Sequence, residues 1–337
     1  MESDAYPSVS LHNVAELDSA EWAADGYRFA RVPDTVGVNL NVAARERLRH
    51  PTGCELRFVP DAAGSVEITL SAPERTVVWP FWGEFQPTEP IEVGPTPTTA
   101  DFEVPDRIQN LDVDGGDTAA FDPRVCRLRF ADAAPVALHD VAGPCRPPTV
   151  DERPDRRYLA YGTSITEGAG AAPHLTYVAQ AARALGVDPI NLGTSGSAFC
   201  EPAMAEYIAD REDWDVATLA LSVNMANRGF TLAQFRHRAR TLINTVASAH
   251  PETPVVCITL FPYHADLVRG DDAERAEAFR HALQTIVAES ANENVEIVEG
   301  SELLEPTGLT TDVLHPGDHG LAQIGRRLAD RIAQLPE

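Results

Sequence analysis

Three residues of this chain have the types that together carry out nucleophilic acyl transfer. Ser164 stands in Gly162-Thr163-Ser164-Ile165, and Asp312 and His315 stand in Asp312-Val313-Leu314-His315-Pro316. A serine hydroxyl is a weak nucleophile until a base takes its proton; imidazole is the usual base, and a carboxylate orients the ring. The strand-like run Arg157-Tyr158-Leu159-Ala160-Tyr161 leads into the small-residue turn that carries Ser164. Such a turn at the carboxyl end of a parallel strand places the hydroxyl at the rim of an α/β sheet, where ligands bind. A helix starting there would point the Ser164 N–H at anionic charge. Taken alone, a serine in this position reads first as a helix N-cap or turn residue, because serines at strand-turn-helix junctions are common.

Two further segments offer donors for the oxyanion that such an attack creates. Asn191-Leu192-Gly193-Thr194-Ser195-Gly196-Ser197 is glycine-rich, so its backbone can approach a ligand and Gly193 can present an N–H. Leu221-Ser222-Val223-Asn224-Met225 brings the side-chain amide of Asn224. Each has a plain alternative: a glycine-rich connection without chemistry, and a turn asparagine bonding its own backbone. Thr163, Glu167, Tyr263 and His264 are candidate substrate contacts. For Glu167 the alternative is a first-turn acid favoured by the helix dipole. His319 reads as surface, and the aromatic run Trp79-Pro80-Phe81-Trp82-Gly83-Glu84-Phe85 as β-domain core or else as a pocket wall. No cluster has metal-ligand spacing and no glycine loop suits phosphate, so neither metal nor cofactor is expected.

The elements that must position these residues change character along the chain. Between about Glu21 and His139, short alternating runs such as Ser65-Val66-Glu67-Ile68-Thr69-Leu70 read as antiparallel strands of a β-sandwich or jelly roll. Residues 1–145 are assigned to this domain and the proline-rich stretch 146–156 to a linker. Within 157–337, strand runs at 158–161, 189–192, 216–221, 255–260 and 295–298 alternate with amphipathic helical runs. Five strands so spaced suit a flavodoxin-like, doubly wound parallel sheet.

Fifty-one acidic residues against 27 basic ones give a formal net charge of −24, and every basic residue is arginine. Phosphate would be repelled, which argues against nucleic acid or an anionic membrane as partner. The dispersed acid suggests a surface adapted to high salt. Five scattered cysteines (Cys54, Cys126, Cys145, Cys200, Cys257), an acidic Met1-Glu2-Ser3-Asp4 start and no apolar span lead to the expectation of a reducing cytoplasm. No sequence feature defines an oligomeric state.

The four segments together resemble the conserved blocks of the SGNH, or GDSL-like, hydrolase superfamily. The G-x-S-x block appears as Gly162-Thr163-Ser164-Ile165 and the N-x-G-x-S-G-like block as Asn191-Leu192-Gly193-Thr194-Ser195-Gly196. The G-x-N-D block appears as Ser222-Val223-Asn224-Met225 and the D-x-x-H-P block as Asp312-Val313-Leu314-His315-Pro316. Ser222 replaces the usual glycine, Met225 the usual aspartate, and Thr163 the aspartate of G-D-S-L. The resemblance implies Ser164 as nucleophile, His315 as base and Asp312 as its orienting group. It implies an oxyanion hole made by the Ser164 N–H, the Gly193 N–H and the Asn224 amide. The expected activity is that of a serine esterase, and relatives with an N-terminal β-sandwich point to deacetylation of carbohydrates. A thioesterase or lysophospholipase, or a non-catalytic carbohydrate-binding or scaffold protein on the same fold, stands as the alternative.

Overall fold

The computed structural model describes residues 5–61, 64–112, 120–131 and 134–335, so the acidic start Met1-Glu2-Ser3-Asp4 lies outside the described residues. Two compact units emerge. One comprises Met1–Asp34, Leu48–Asp155 and Gly186–Asp188; the other comprises Thr35–Arg47, Arg156–Leu185 and Pro189–Glu337. Thirteen residues from early in the chain therefore belong to the unit that carries Ser164, while 146–155 stay with the β-rich unit.

The β-rich unit is a two-sheet antiparallel sandwich. Its strands are β1 (Ser10–His12), β2 (Glu16–Ala20), β3 (Ala23–Ala30), β4 (Glu55–Pro60), β5 (Val66–Ser71), β6 (Thr76–Trp82), β7 (Ile91–Val93), β8 (Thr98–Phe102), β9 (Cys126–Phe130), β10 (Ala137–Ala142) and β11 (Cys145–Arg146). One sheet runs β1-β4-β9-β6-β7 with β11 on β4; the other runs β2-β3-β10-β5-β8. Leu56, Phe58 and Leu128 of the first sheet share a core with Phe29, Ile68, Leu70 and Leu138 of the second. Trp82 joins this core, whereas Phe85 of the same aromatic run is exposed.

Alternation of apolar and charged residues along β4 and β9 suggests one wet face, yet both strands are buried throughout. The charges instead satisfy one another. Glu55 accepts from Arg57 Nε and Arg127 Nε at 2.8 Å each, and Arg57 forks onto Asp188 at 2.6 and 2.7 Å. Arg127 also lies over the Phe121 ring, 3.5 Å from its centroid. Burial pushes the Glu55 carboxyl up, but Arg127, Arg57 and Arg129 outweigh it and hold the group well below the usual carboxylate range.

The parallel sheet contains β12 (Arg157–Tyr161), β13 (Asp188–Asn191), β14 (Val216–Ala220), β15 (Val255–Ile258) and β16 (Val295–Val298), in the order β13-β12-β14-β15-β16, and all of it except Asp188 belongs to the second unit. Counted within the sheet this is 2-1-3-4-5, the flavodoxin-like order, with β12–β14, β14–β15 and β15–β16 parallel. β13, β14 and β15 are buried along their whole length, as a sheet covered on both faces must be. The helices are α1 (Asp34–Gly37), α2 (Val42–Arg47), α3 (Asp106–Gln109, in the β-rich unit), α4 (Ser164–Glu167), α5 (Tyr177–Leu185), α6 (Pro202–Ala209), α7 (Val223–Asn227), α8 (Leu232–Ala249), α9 (His264–Leu267), α10 (Ala273–Ala288), α11 (Gly300–Leu303) and α12 (Asp318–Ile332).

Local sequence explains where the long helices start and which face they bury. Thr231 and Gln234 form a reciprocal capping box that opens α8. Phe235, Ala239, Leu242, Ile243 and Val246 then recur at helical spacing and are all buried. Phe235 stacks on Phe279 of α10 with ring centroids 4.8 Å apart. α5 starts at Tyr177, where Thr176 Oγ1 accepts the Ala179 N–H and caps it.

Candidate active site

Ser164 follows β12 and Asn224 follows β14, so both lie at the carboxyl edge where the strand order reverses. That crevice is the usual ligand site of a doubly wound sheet. Ser164 opens the four-residue helix α4, is 6% exposed, and its backbone N–H has no acceptor among the described residues. His315 reaches it from a loop 151 positions away: His315 Nε2 is 2.8 Å from Ser164 Oγ.

The histidine is held by a tight clasp. Asp312 Oδ2 lies 2.7 Å from His315 Nδ1, while Asp312 Oδ1 accepts from the N–H groups of Leu314 and His315 at 2.9 Å and from Thr310 Oγ1 at 2.7 Å. The clasp is closed by Thr310 N–H donating to the His315 carbonyl at 2.8 Å and by a bridge between Leu309 and Pro316. Partial burial raises the Asp312 carboxyl, but the bonds from the His315 ring, its backbone and Thr310 prevail and hold it far below the usual range. These bonds favour the ionised form of Asp312, which is the form that orients an imidazolium.

The oxyanion side differs in detail from the sequence expectation. Asn224 Oδ1 accepts from Ala198 N–H at 3.1 Å, which leaves its Nδ2 as a donor without an acceptor among the described residues. The Gly193 N–H, however, donates to Asn191 Oδ1 at 2.9 Å. A Cβ at Gly193 would stand 2.3 Å from the Glu167 backbone nitrogen, so glycine is needed there for the loop to cross α4 closely. Three residues later Gly196 has φ 67° and an N–H with no acceptor among the described residues. Spacing alone does not single out Gly196. Its signal is the Ser-Gly pair closing the second block, since a left-handed residue turns its N–H away from the preceding chain.

The remaining candidates separate. Thr163 and Tyr263 line a small pocket beside Ser164, together with Ile165, Leu221, Val223 and Leu314. Burial pushes the Tyr263 phenol up to about 12, so it remains a neutral donor. His264 points elsewhere, pairing through Nδ1 with Asp271 at 2.7 Å. Glu167 is fully buried in an ion pair with Arg47 and accepts the Ser195 N–H at 2.6 Å, which places it behind the site as support for the loop. His319 is exposed and Cys200 is buried. Among the described residues no group of His, Cys, Asp and Glu could hold a metal ion, and no helix is long and apolar enough to cross a membrane.

The GDSL-like lipase/acylhydrolase family matches residues 155–333, more than half of the 337-residue chain. The chain belongs to that family and is an ester-hydrolysing enzyme. Among solved structures, the salicylyl-acyltransferase SsfX3 of a tetracycline biosynthetic pathway shares the fold with a TM-score of 0.75 at 18% identity, covering 98% of this chain and 97% of that one. A family two carbohydrate esterase from Cellvibrio japonicus scores 0.62 at 13% identity, covering 97% and 95%. One from Clostridium thermocellum, in complex with cellohexaose, scores 0.60 at 17% identity, covering 96% and 98%. Among curated proteins none matches this chain.

Proposed function

We propose that the enzyme hydrolyses esters of small acyl groups through an acyl-enzyme on Ser164, with acetylated carbohydrates as its substrate class. The observation that supports this is the unbroken relay Ser164–His315–Asp312, with hydrogen bonds of 2.8 and 2.7 Å. In this reading Ser164 Oγ attacks the ester carbonyl as His315 Nε2 takes its proton. The tetrahedral intermediate collapses when the imidazolium returns that proton to the leaving alcohol. Water, deprotonated by the same histidine, then releases the acid. The Ser164 N–H, the Gly196 N–H and the Asn224 amide receive the oxyanion, each such donor being worth ~3–4 kcal/mol of barrier.

The pocket supports a small acyl group. Its walls are mainly apolar and its free interior has about the room of one water molecule, which suits an acetyl methyl. The carbohydrate side is supported by the fold shared with the family two carbohydrate esterases. The acyltransferase fold neighbour favours a second reading, in which an alcohol in place of water discharges the same acyl-enzyme.

Ser164→Ala is expected to abolish hydrolysis of p-nitrophenyl acetate and labelling by a fluorophosphonate probe, with an unchanged melting temperature. Full activity in that variant removes Ser164 from the mechanism. Acetylated sugars assayed with and without added acceptor alcohols then separate hydrolysis from transfer by the product formed.

A further inference from the structure

The segment Thr35–Arg47 comes from the β-rich part of the sequence yet belongs to the compact unit that holds Ser164. Two of its side chains, Asn41 and Arg47, reach the surroundings of the loop at 195–198. Arg47 Nε donates to both oxygens of Glu167 at 3.1 Å and Nη2 donates to Oε1 at 2.9 Å, across 120 positions of sequence. Glu167 ends the short helix that Ser164 begins, and its Oε2 holds the Ser195 N–H at 2.6 Å. Asn41 Nδ2 donates to the Ser197 carbonyl at 2.9 Å and to Glu201 Oε1 at 2.5 Å, while its Oδ1 caps α2 through the Ala44 N–H at 3.0 Å. Gly196 lies between these two anchor points, and the next residue along, Ala198, ties the loop to Asn224 Oδ1.

We propose that Asn41 and Arg47 are positioning residues, which hold the 195–198 loop so that the Gly196 N–H and the Asn224 amide meet the developing oxyanion. This inference rests on the acyl-enzyme reading above. The physical ground is preorganisation: a donor lowers the barrier only if it is already aimed at where charge will develop. A peptide N–H bonded to a buried carboxylate is held strongly, and a cation beside that carboxylate offsets the cost of burying it and fixes its place. Arg47 supplies the cation as a two-pronged fork, which also fixes the direction of the Glu167 carboxylate. Asn41 fixes the far side of the loop through the Ser197 carbonyl.

The test is steady-state kinetics on p-nitrophenyl acetate, with each preparation normalised to the serine titratable by fluorophosphonate. Asn41→Ala is expected to lower kcat about tenfold, and Arg47→Met about a hundredfold, with KM within about twofold of wild type in both, because the acyl pocket is untouched. Arg47→Lys should recover part of the loss, since it restores charge without the fork. If Arg47→Met does not fold, Asn41→Ala and Arg47→Lys carry the decision. Wild-type kcat per titrated serine in these variants overturns the proposal, even where melting temperatures drop, because a merely structural role would lower only the folded fraction. An active Ser164→Ala enzyme would instead overturn the acyl-enzyme reading, so the two failures are distinct.

Discussion

At the scale of single residues, the site loops carry unusual backbone. Ser222 (φ 101°), Cys200 (φ 54°) and Val313 (φ 54°) are the non-glycine residues with positive φ in the described part of the second unit. One precedes Asn224, one follows the 195–198 loop, and one sits inside the Asp312–His315 clasp. L-residues avoid this region because Cβ crowds the backbone, and a branched side chain such as valine avoids it most. The cost, ~1–3 kcal/mol each, is met by the hydrogen bonds that hold the loops. Ser222 stands where the family has glycine, and its hydroxyl bonds back to the Leu221 carbonyl. Ser222→Gly should therefore stabilise the protein by about 1 kcal/mol, after the larger entropy that glycine loses on folding. Thermal melts of the two proteins check this; a lower melting temperature for the glycine variant would show that the hydroxyl outweighs the strain.

Elements set which of these loops meet. The 2-1-3-4-5 strand order brings the ends of β12 and β14 side by side, so a serine and an asparagine 60 residues apart share one crevice. In the sandwich, the same kind of alternation that marks a half-wet strand conceals a buried charge cluster on β4 and β9, centred on Glu55. Removing one member of such a cluster leaves its partners buried without compensation. Glu55→Gln is expected to lower unfolding free energy by about 3–5 kcal/mol in urea titrations. An unchanged midpoint would mean that the arginines find other acceptors. Periodicity marks β4 and β9 as strands, but the fate of their polar faces depends on Asp188, far from both in sequence, and on Phe121, which lies just ahead of β9 but far from β4.

For the whole molecule, a formal charge of −24 makes self-repulsion a standing destabilising term. Ion pairs such as Arg75–Glu92 and Arg240–Glu289 are exposed on both sides and contribute little against it. The Debye length falls from about 10 Å at 0.1 M salt to about 3 Å at 1 M, which removes most of that repulsion. The melting temperature is therefore expected to rise as KCl increases over this range. A flat or falling curve would mean that lost surface pairs cancel the screening of net charge.

Family and fold class were both legible in the chain itself, because they rest on local signals: strand and helix periods, and short blocks in a set order. The Asp312–His315 clasp is local in the same sense, since three positions of separation allow one carboxylate to bind both the ring and the backbone of its neighbour. Which glycine N–H lacks an acceptor among the described residues, and what holds its loop, depended on tertiary structure. A backbone donor's direction is set by φ and by what packs against it, and spacing records neither. Hence Gly193 and Gly196 look alike in sequence, and Asn41 and Arg47 carry no motif, because their partners are brought to them only by the folding of distant segments.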